Sequence, residues 1–174
     1  MVLNSKEEEY IKSFLSKIKI NEVMTSPVVT IFEDEELSEA EEKFVIHKIF
    51  YLPVLSREHR LVGLISHKYL YKTQSPRKFI DPNLKFDPEI IFDPDILVEG
   101  DSYYSKETLD SYILRSIMNK NPSTLKEDDT VANALLTLGD RNVGCIVIVG
   151  DSRKVVGLVT HREIVNLFTR ILKG

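Results

Sequence analysis

Cysteine is almost missing from this chain: Cys145 stands alone among 174 residues. An internal disulfide framework is thereby excluded, and a reducing compartment, the cytoplasm, is the expected setting. Long apolar runs are missing too. No stretch approaches the roughly 18 residues a membrane helix needs, and the opening MVLNSKEEEY is too acidic for a secretory signal. Neither sign of charge dominates: 23 Lys and Arg against 27 Asp and Glu leave a net charge of −4. That balance argues against a general nucleic-acid or membrane-binding surface. Catalytic signatures are lacking as well, with no Gly-x-Ser-x-Gly elbow, P-loop or paired metal motif. Ser66-His67 and Thr160-His161 are neighbours at helix starts, where a hydroxyl and an imidazole rarely orient as nucleophile and base. His67 and His161 have no Cys or carboxylate cluster beside them to complete a metal site. The expectation is a protein that is not an enzyme and holds no metal or resident cofactor.

What is present is an ordinary globular composition, 43% apolar and 29% charged, enough for one domain or two small ones sharing a core. It is also written twice. LVGLISHKYLY at 61–71 returns as VVGLVTHREIV at 155–165, and every match keeps one spacing of 94 residues. Met24 pairs with Met118, Thr30 with Thr124, Ala40 with Ala134, Val62-Gly63-Leu64 with Val156-Gly157-Leu158, and His67 with His161. A register held without a gap from Met24 to Tyr71 marks an internal duplication.

Each copy reads β-α-β-β-α. VVTIF (28–32) and STL (123–125) are short β-prone segments, followed by acidic entries into helices carrying Leu37, Ala40 and Phe44, or Val131, Ala134 and Leu138. Thr130 suits an N-cap and Gly139 a helix stop. FYLPVLS (50–56) with LVGLIS, and CIVIVG (145–150) with VVGLVT, form hairpins too continuously apolar to face water on either side. Pro53 points to an edge or strand-end position, since it cannot donate to a ladder. A helix precedes each copy: one opens at Ser5 with Glu8 completing a capping box, the other at Ser105. The layout is an N-terminal helix over 1–17, a first repeat over 18–72, a linker over 73–104 and a second repeat with its leading helix over 105–174.

The paired Met24 and Met118 heads, the Leu52-Pro53-Val54 strand and the GLIS and GLVT hairpin ends resemble a tandem pair of CBS (cystathionine β-synthase) domains, a Bateman module. The resemblance implies an α+β fold with two repeats about a pseudo-two-fold axis, a disc-shaped homodimer, and clefts between the copies for adenosine-containing ligands. A strand running into a helix start also aims unpaired N–H groups at one point, a natural anion site. The family pattern there is Gly-apolar-apolar-Ser/Thr-x-x-Asp, whose Asp accepts bonds from ribose hydroxyls. This chain departs from it twice, with Tyr69 after Ser66 and Glu163 after Thr160.

The second-copy cleft therefore ranks first, with Thr160, Glu163, His161 and Arg162 at the junction and Ser123, Thr124, Cys145, Ile146 and Val147 around the base. The weaker first-copy cleft takes Ser66, His67, Lys68, Tyr69, Val28, Val29, Phe50, Tyr51 and Leu52. The implied role is a cytoplasmic regulatory module that senses AMP, ADP, ATP or S-adenosylmethionine and signals to an effector protein. The alternative is a ligand-independent dimerisation or scaffold protein with decayed sites, which Tyr69 and the lengthened Glu163 favour. Nucleic acid and membrane are not expected partners. FIDPNLKFDPEIIFDPDI, residues 79–96, repeats Asp-Pro every six residues and reads as a turn-rich strap.

Overall fold

The computed structural model describes residues 4–68 and 112–174. Tyr69, the Asp-Pro strap and the start of the helix expected at Ser105 lie outside the described residues.

Each repeat builds one three-stranded sheet, giving the expected α+β architecture. In the first copy β1 (Ile31–Phe32) leads into α2 (Leu37–His47), β2 (Tyr51–Leu55) and β3 (Leu61–Ser66), after α1 (Ser5–Lys17) at the N-terminus. In the second, α3 (Leu114–Ile117) precedes β4 (Thr124–Leu125), α4 (Val131–Asp140), β5 (Cys145–Val149), β6 (Val155–Thr160) and α5 (His161–Lys173). The middle strand runs parallel to the first and antiparallel to the third in both sheets. Both hairpins carry the same irregularity. Val54 pairs with Gly63 and Leu55 with Leu61, so Val62 is an extra residue; Val156 is its counterpart.

That bulge sorts the side chains. Leu52, Val54 and Ile65 enter the core of the first copy, and Ile146, Ile148 and Val159 enter that of the second. Leu61, Leu64, Cys145, Val147 and Leu158 form a third cluster that joins the two sheets.

The copies also exchange their leading segments. Thr25 and Leu158 trade backbone hydrogen bonds of 2.9 and 3.1 Å, and Leu64 and Asn119 trade two of 2.9 Å. Ile20 and Val23 are buried in the second copy's core, whereas Leu114 and Met118 are buried in the first copy's. The glycine of each Val-Gly-Leu is explained by this crossing. A Cβ at Gly63 would sit 2.9 Å from Met118 Cγ, and one at Gly157 would sit 2.8 Å from Met24 Cγ. Both contacts are too close for any side chain larger than hydrogen.

Three local expectations need correction. The first helix is capped one residue earlier than expected: Asn4 Oδ1 accepts from Lys6 and Glu7 N–H at 3.1 Å each, and Glu7 returns to Asn4 N–H at 2.8 Å. Asn is as good a cap as Ser, and the box shifts with it. Gly139 lies inside α4, and Asn142 takes the left-handed conformation beyond it at φ 48°. Asn is the residue after Gly that best tolerates that region. Pro53 is in the central strand, not at an edge. At the equivalent position Val147 N–H donates to Ser123 O at 2.9 Å. Proline has no such donor, so the first copy forgoes a bond the second makes. Thr130 caps α4 as expected, accepting from Asn133 N–H at 3.3 Å.

Candidate functional site

The two strand-to-helix junctions are the natural places for a ligand. In the second copy β6 ends at Thr160, whose extended backbone and side chain cap α5. Thr160 Oγ accepts from Arg162 N–H at 3.1 Å. Glu163, three residues on, folds back to complete a capping box. Its Oε2 accepts from Thr160 N–H at 2.8 Å and from Thr160 Oγ at 2.6 Å. Its Oε1 accepts from Thr25 Oγ at 2.9 Å, a contact spanning 138 residues. The carboxylate is only 8% exposed, so these three donors replace the water it gives up. One side chain thus ties the second copy's helix start to the leading segment of the first copy.

The first-copy junction is arranged differently. Ser66 is 5% exposed and its Oγ has no hydrogen-bond partner among the described residues. It sits opposite Tyr51 in the β2–β3 register, as Thr160 sits opposite Cys145. Tyr51 packs with the cluster between the sheets, and its hydroxyl fills the space a side chain at Gly144 would need. Burial pushes the Tyr51 hydroxyl above its usual range, with the Cys145 thiol adding to the effect. Cys145 is pushed upward more strongly, first by burial and then by the nearby Glu163 carboxylate, so it remains a thiol at neutral pH.

Among the expected site residues, Tyr51, Cys145, Val147 and Val28 meet at the cluster joining the sheets. Leu52, Ile146 and Val29 turn instead into the separate cores. The His67 ring meets Phe44 and Phe50 edge-on, at 5.4 and 6.2 Å between centroids. Burial holds its pKa below the usual imidazole value, while Glu41 opposes that shift. Lys68, His161 and Arg162 are exposed, Ser123 is buried and Thr124 half-buried.

Beside Glu163 the 22–25 segment and α5 enclose an open groove of about 460 Å³, within the usual range of small-molecule sites. Its helical wall is Glu163, Asn166, Thr169, Arg170 and Lys173, and Thr25 faces it from the crossing segment. Thr25, Asn166, Arg170 and Lys173 escape a reading of the sequence alone. The helical residues did leave a signal: Glu163, Asn166, Arg170 and Lys173 recur at helical spacing on one face. Thr25 left none, because its partner is more than a hundred residues away.

Comparison with known proteins agrees with this fold. The CBS domain pattern matches residues 20–75 and 114–170. The chain belongs to the CBS domain family. A CBS domain pair solved with 5′-methylthioadenosine and S-adenosyl-L-methionine superposes with a TM-score of 0.64 at 22% identity, covering 87% of this chain and 95% of that one. The CBS domain of a bacterial CNNM/CorC family Mg²⁺ transporter, solved with ATP, also gives 0.64 at 22% identity, covering 92% and 95%. A homoserine O-acetyltransferase of Methanococcus vannielii is 23% identical over 169 residues, which are 97% of this chain and 28% of that protein. The chain spans about a quarter of the length of the first curated relatives it matches. Among the described residues, no helix is long and apolar enough to cross a membrane.

Proposed function

We propose that this chain is a non-catalytic regulatory module that binds an adenosine-containing nucleotide in the crevice between its repeats and passes the change to a partner protein in the cytoplasm. The observation that carries this reading is the Thr25–Glu163–Thr160 junction. A buried carboxylate at a helix start, held by groups from both halves of the exchange, lies beside a groove of ligand size. Ribose hydroxyls are donors of the same kind as the threonine hydroxyls that now satisfy Glu163. A nucleoside that displaces Thr25 alters a contact between the two halves, and a ligand preferring one arrangement shifts the population toward it. The CBS pairs solved with 5′-methylthioadenosine and S-adenosyl-L-methionine, and with ATP, support the ligand class. Exposed apolar side chains on α2 (Val45, Ile46) and α5 (Val165, Phe168, Leu172) support a homodimer, since a second copy would cover them. Size-exclusion chromatography with light scattering tests that part, and a monomer at every concentration contradicts it.

Thermal unfolding with AMP, ADP, ATP and S-adenosylmethionine tests the ligand. Ligand at a hundred times its dissociation constant stabilises the fold by about 2.7 kcal/mol. No change with any of the four at saturating concentration rejects the sensing role. A second reading, a scaffold with decayed sites, is favoured by one observation: Glu163 is already satisfied within the chain. Thr160→Val separates the two. A sensor loses its response to nucleotide, whereas a scaffold keeps its partner.

A further inference from the structure

We infer that two copies of this chain pair head to tail, the acidic outer face of α2 in one docking on the basic, apolar outer face of α5 in the other. This rests on the homodimer reading above and adds which of two symmetric pairings the chain selects. The cluster joining the two sheets takes one side of each. The helices cover the opposite sides, α2 on the first core and α4 with α5 on the second, so the molecule ends in two outer faces. A two-fold dimer joins those faces like with like or each with its opposite, and in the second case every contact occurs twice.

The two faces carry opposite charge. On α2, Glu39, Glu42 and Ile46 follow at spacings of three and four and form one exposed stripe, with Val45 beside it. The helix's lysine, Lys43, is turned away, donating to the Thr30 carbonyl at 3.1 Å and lying 3.7 Å from Glu35. His47 and Lys48 stand beyond the stripe, at the helix end. On α5, Val165, Phe168 and Leu172 repeat the same spacing and are exposed. Arg162 stands one turn before Val165, and Lys173, next to Leu172, borders both this face and the groove. The acid of this helix, Glu163, is buried. Duplication does not account for the acidic stripe: Glu39 and Glu42 correspond to Asn133 and Leu136 on α4, and Leu136 is exposed beside the α5 face. Like-with-like pairing would set Glu39 and Glu42 against their own copies. Desolvation and the Glu35 carboxylate already hold the Glu39 pKa above its usual value, so further carboxylates there are unfavourable. The opposite pairing supplies Arg162 and Lys173 instead, while Val45 and Ile46 cover Val165, Phe168 and Leu172.

Sedimentation equilibrium of the full chain without ligand tests the pairing. Raising sodium chloride from about 0.05 to about 0.5 M should weaken the native dimer, because salt screens attraction between opposite faces. Like-with-like pairing should tighten instead. Glu39→Lys/Glu42→Lys and Arg162→Glu/Lys173→Glu should each raise the dimer Kd by about tenfold or more, since each turns attraction into repulsion at two symmetric contacts. All four changes in one chain should bring Kd back toward the native value. These side chains are exposed, so the variants are expected to fold, and circular dichroism checks that they do; the salt series decides with the native chain alone. A dimer that salt tightens, or that neither pair of reversals weakens, overturns head-to-tail pairing and leaves the homodimer reading standing. Loss in both pairs without recovery in the fourfold variant overturns it too, because the faces then meet something other than each other. A native chain monomeric at every concentration rejects the homodimer reading and this inference with it. Co-sedimentation of that monomer with phosphatidylserine vesicles would assign the α5 face to a lipid surface instead.

Discussion

The two junctions that end the hairpins have nearly the same backbone and opposite polar chemistry. After β6, Thr160 and Glu163 satisfy one another and hold Thr25 across the exchange. After β3, Ser66 is buried much as Glu163 is, and its hydroxyl has no partner among the described residues. The difference comes from few residues. Thr25 corresponds to Asn119, Thr160 to Ser66 and Glu163 to Tyr69 at the fixed spacing of 94. Duplication has therefore preserved what packing requires, the bulge and the glycine beneath each methionine, while the polar groups diverged. A symmetric scaffold carries one closed junction and one with hydrogen-bonding capacity to spare.

The largest effect should follow from opening the closed junction. Glu163→Ala removes the shared acceptor of the half-buried Thr160 N–H and hydroxyl and of the exposed Thr25 hydroxyl, and with it the tie between segments. A hydrogen bond to a charged group is worth about 1.5–3 kcal/mol net; three are lost but water can reach the freed donors, so a loss of about 3 kcal/mol is expected in urea unfolding. Glu163→Gln keeps an acceptor and should lose less. A loss below about 1 kcal/mol for the alanine variant would mean that water replaces the carboxylate freely.

Packing at the methionine–glycine crossings should respond next, by similar amounts in the two copies and somewhat more at Gly63. Gly63→Val and Gly157→Val place methyl groups where Met118 and Met24 lie, and overpacking of this kind costs about 1–3 kcal/mol. Asn119 O, 3.1 Å from the position of a Gly63 Cβ, is backbone and yields less than a thioether. Values in the two copies differing by more than about 1 kcal/mol would show that the exchange is not symmetric in energy. Ser66→Ala belongs a step lower and has the opposite sign. Removing an unpaired buried hydroxyl should be neutral or stabilising by up to about 1 kcal/mol. A clear destabilisation would mean that a bound water or ligand normally satisfies Ser66.

Much of this architecture was written locally in the chain. The duplicated Val-Gly-Leu, the alternation of apolar runs with acidic helix starts, and Thr130 each express rules that act over a few residues. The exchange was not legible, because Met24 and Met118 align with each other as equivalents and give no sign that each packs on the other copy. For the same reason the junction was only half legible. Glu163 was singled out three residues from Thr160 as a ribose acceptor, but its capping of Thr160 was not read, and Thr25 lies at the far end of the chain. Pro53 misled because a strand's place in a sheet depends on what pairs beside it. The two-residue β1 leaves the central strand a position where a missing donor is tolerated.

The smallest expected effect concerns one of the paired histidines. His67 is half-buried against Phe44 and Phe50, and burial lowers its pKa below the usual imidazole value of about 6.5 despite Glu41. A base with a depressed folded pKa binds its proton more readily when unfolded. Between the folded pKa and 6.5 the unfolded state therefore holds more protons, and stability rises with pH across that window. Below the folded pKa the penalty is fully present; above 6.5 it has gone. Unfolding of the native chain and of His67→Asn, followed from pH 5 to pH 8, should give curves that converge in slope above neutrality. Below it, only the native chain should show this added loss. Equal pH dependence in the native chain and in His67→Asn would mean that the Glu41 carboxylate compensates fully for the ring's burial.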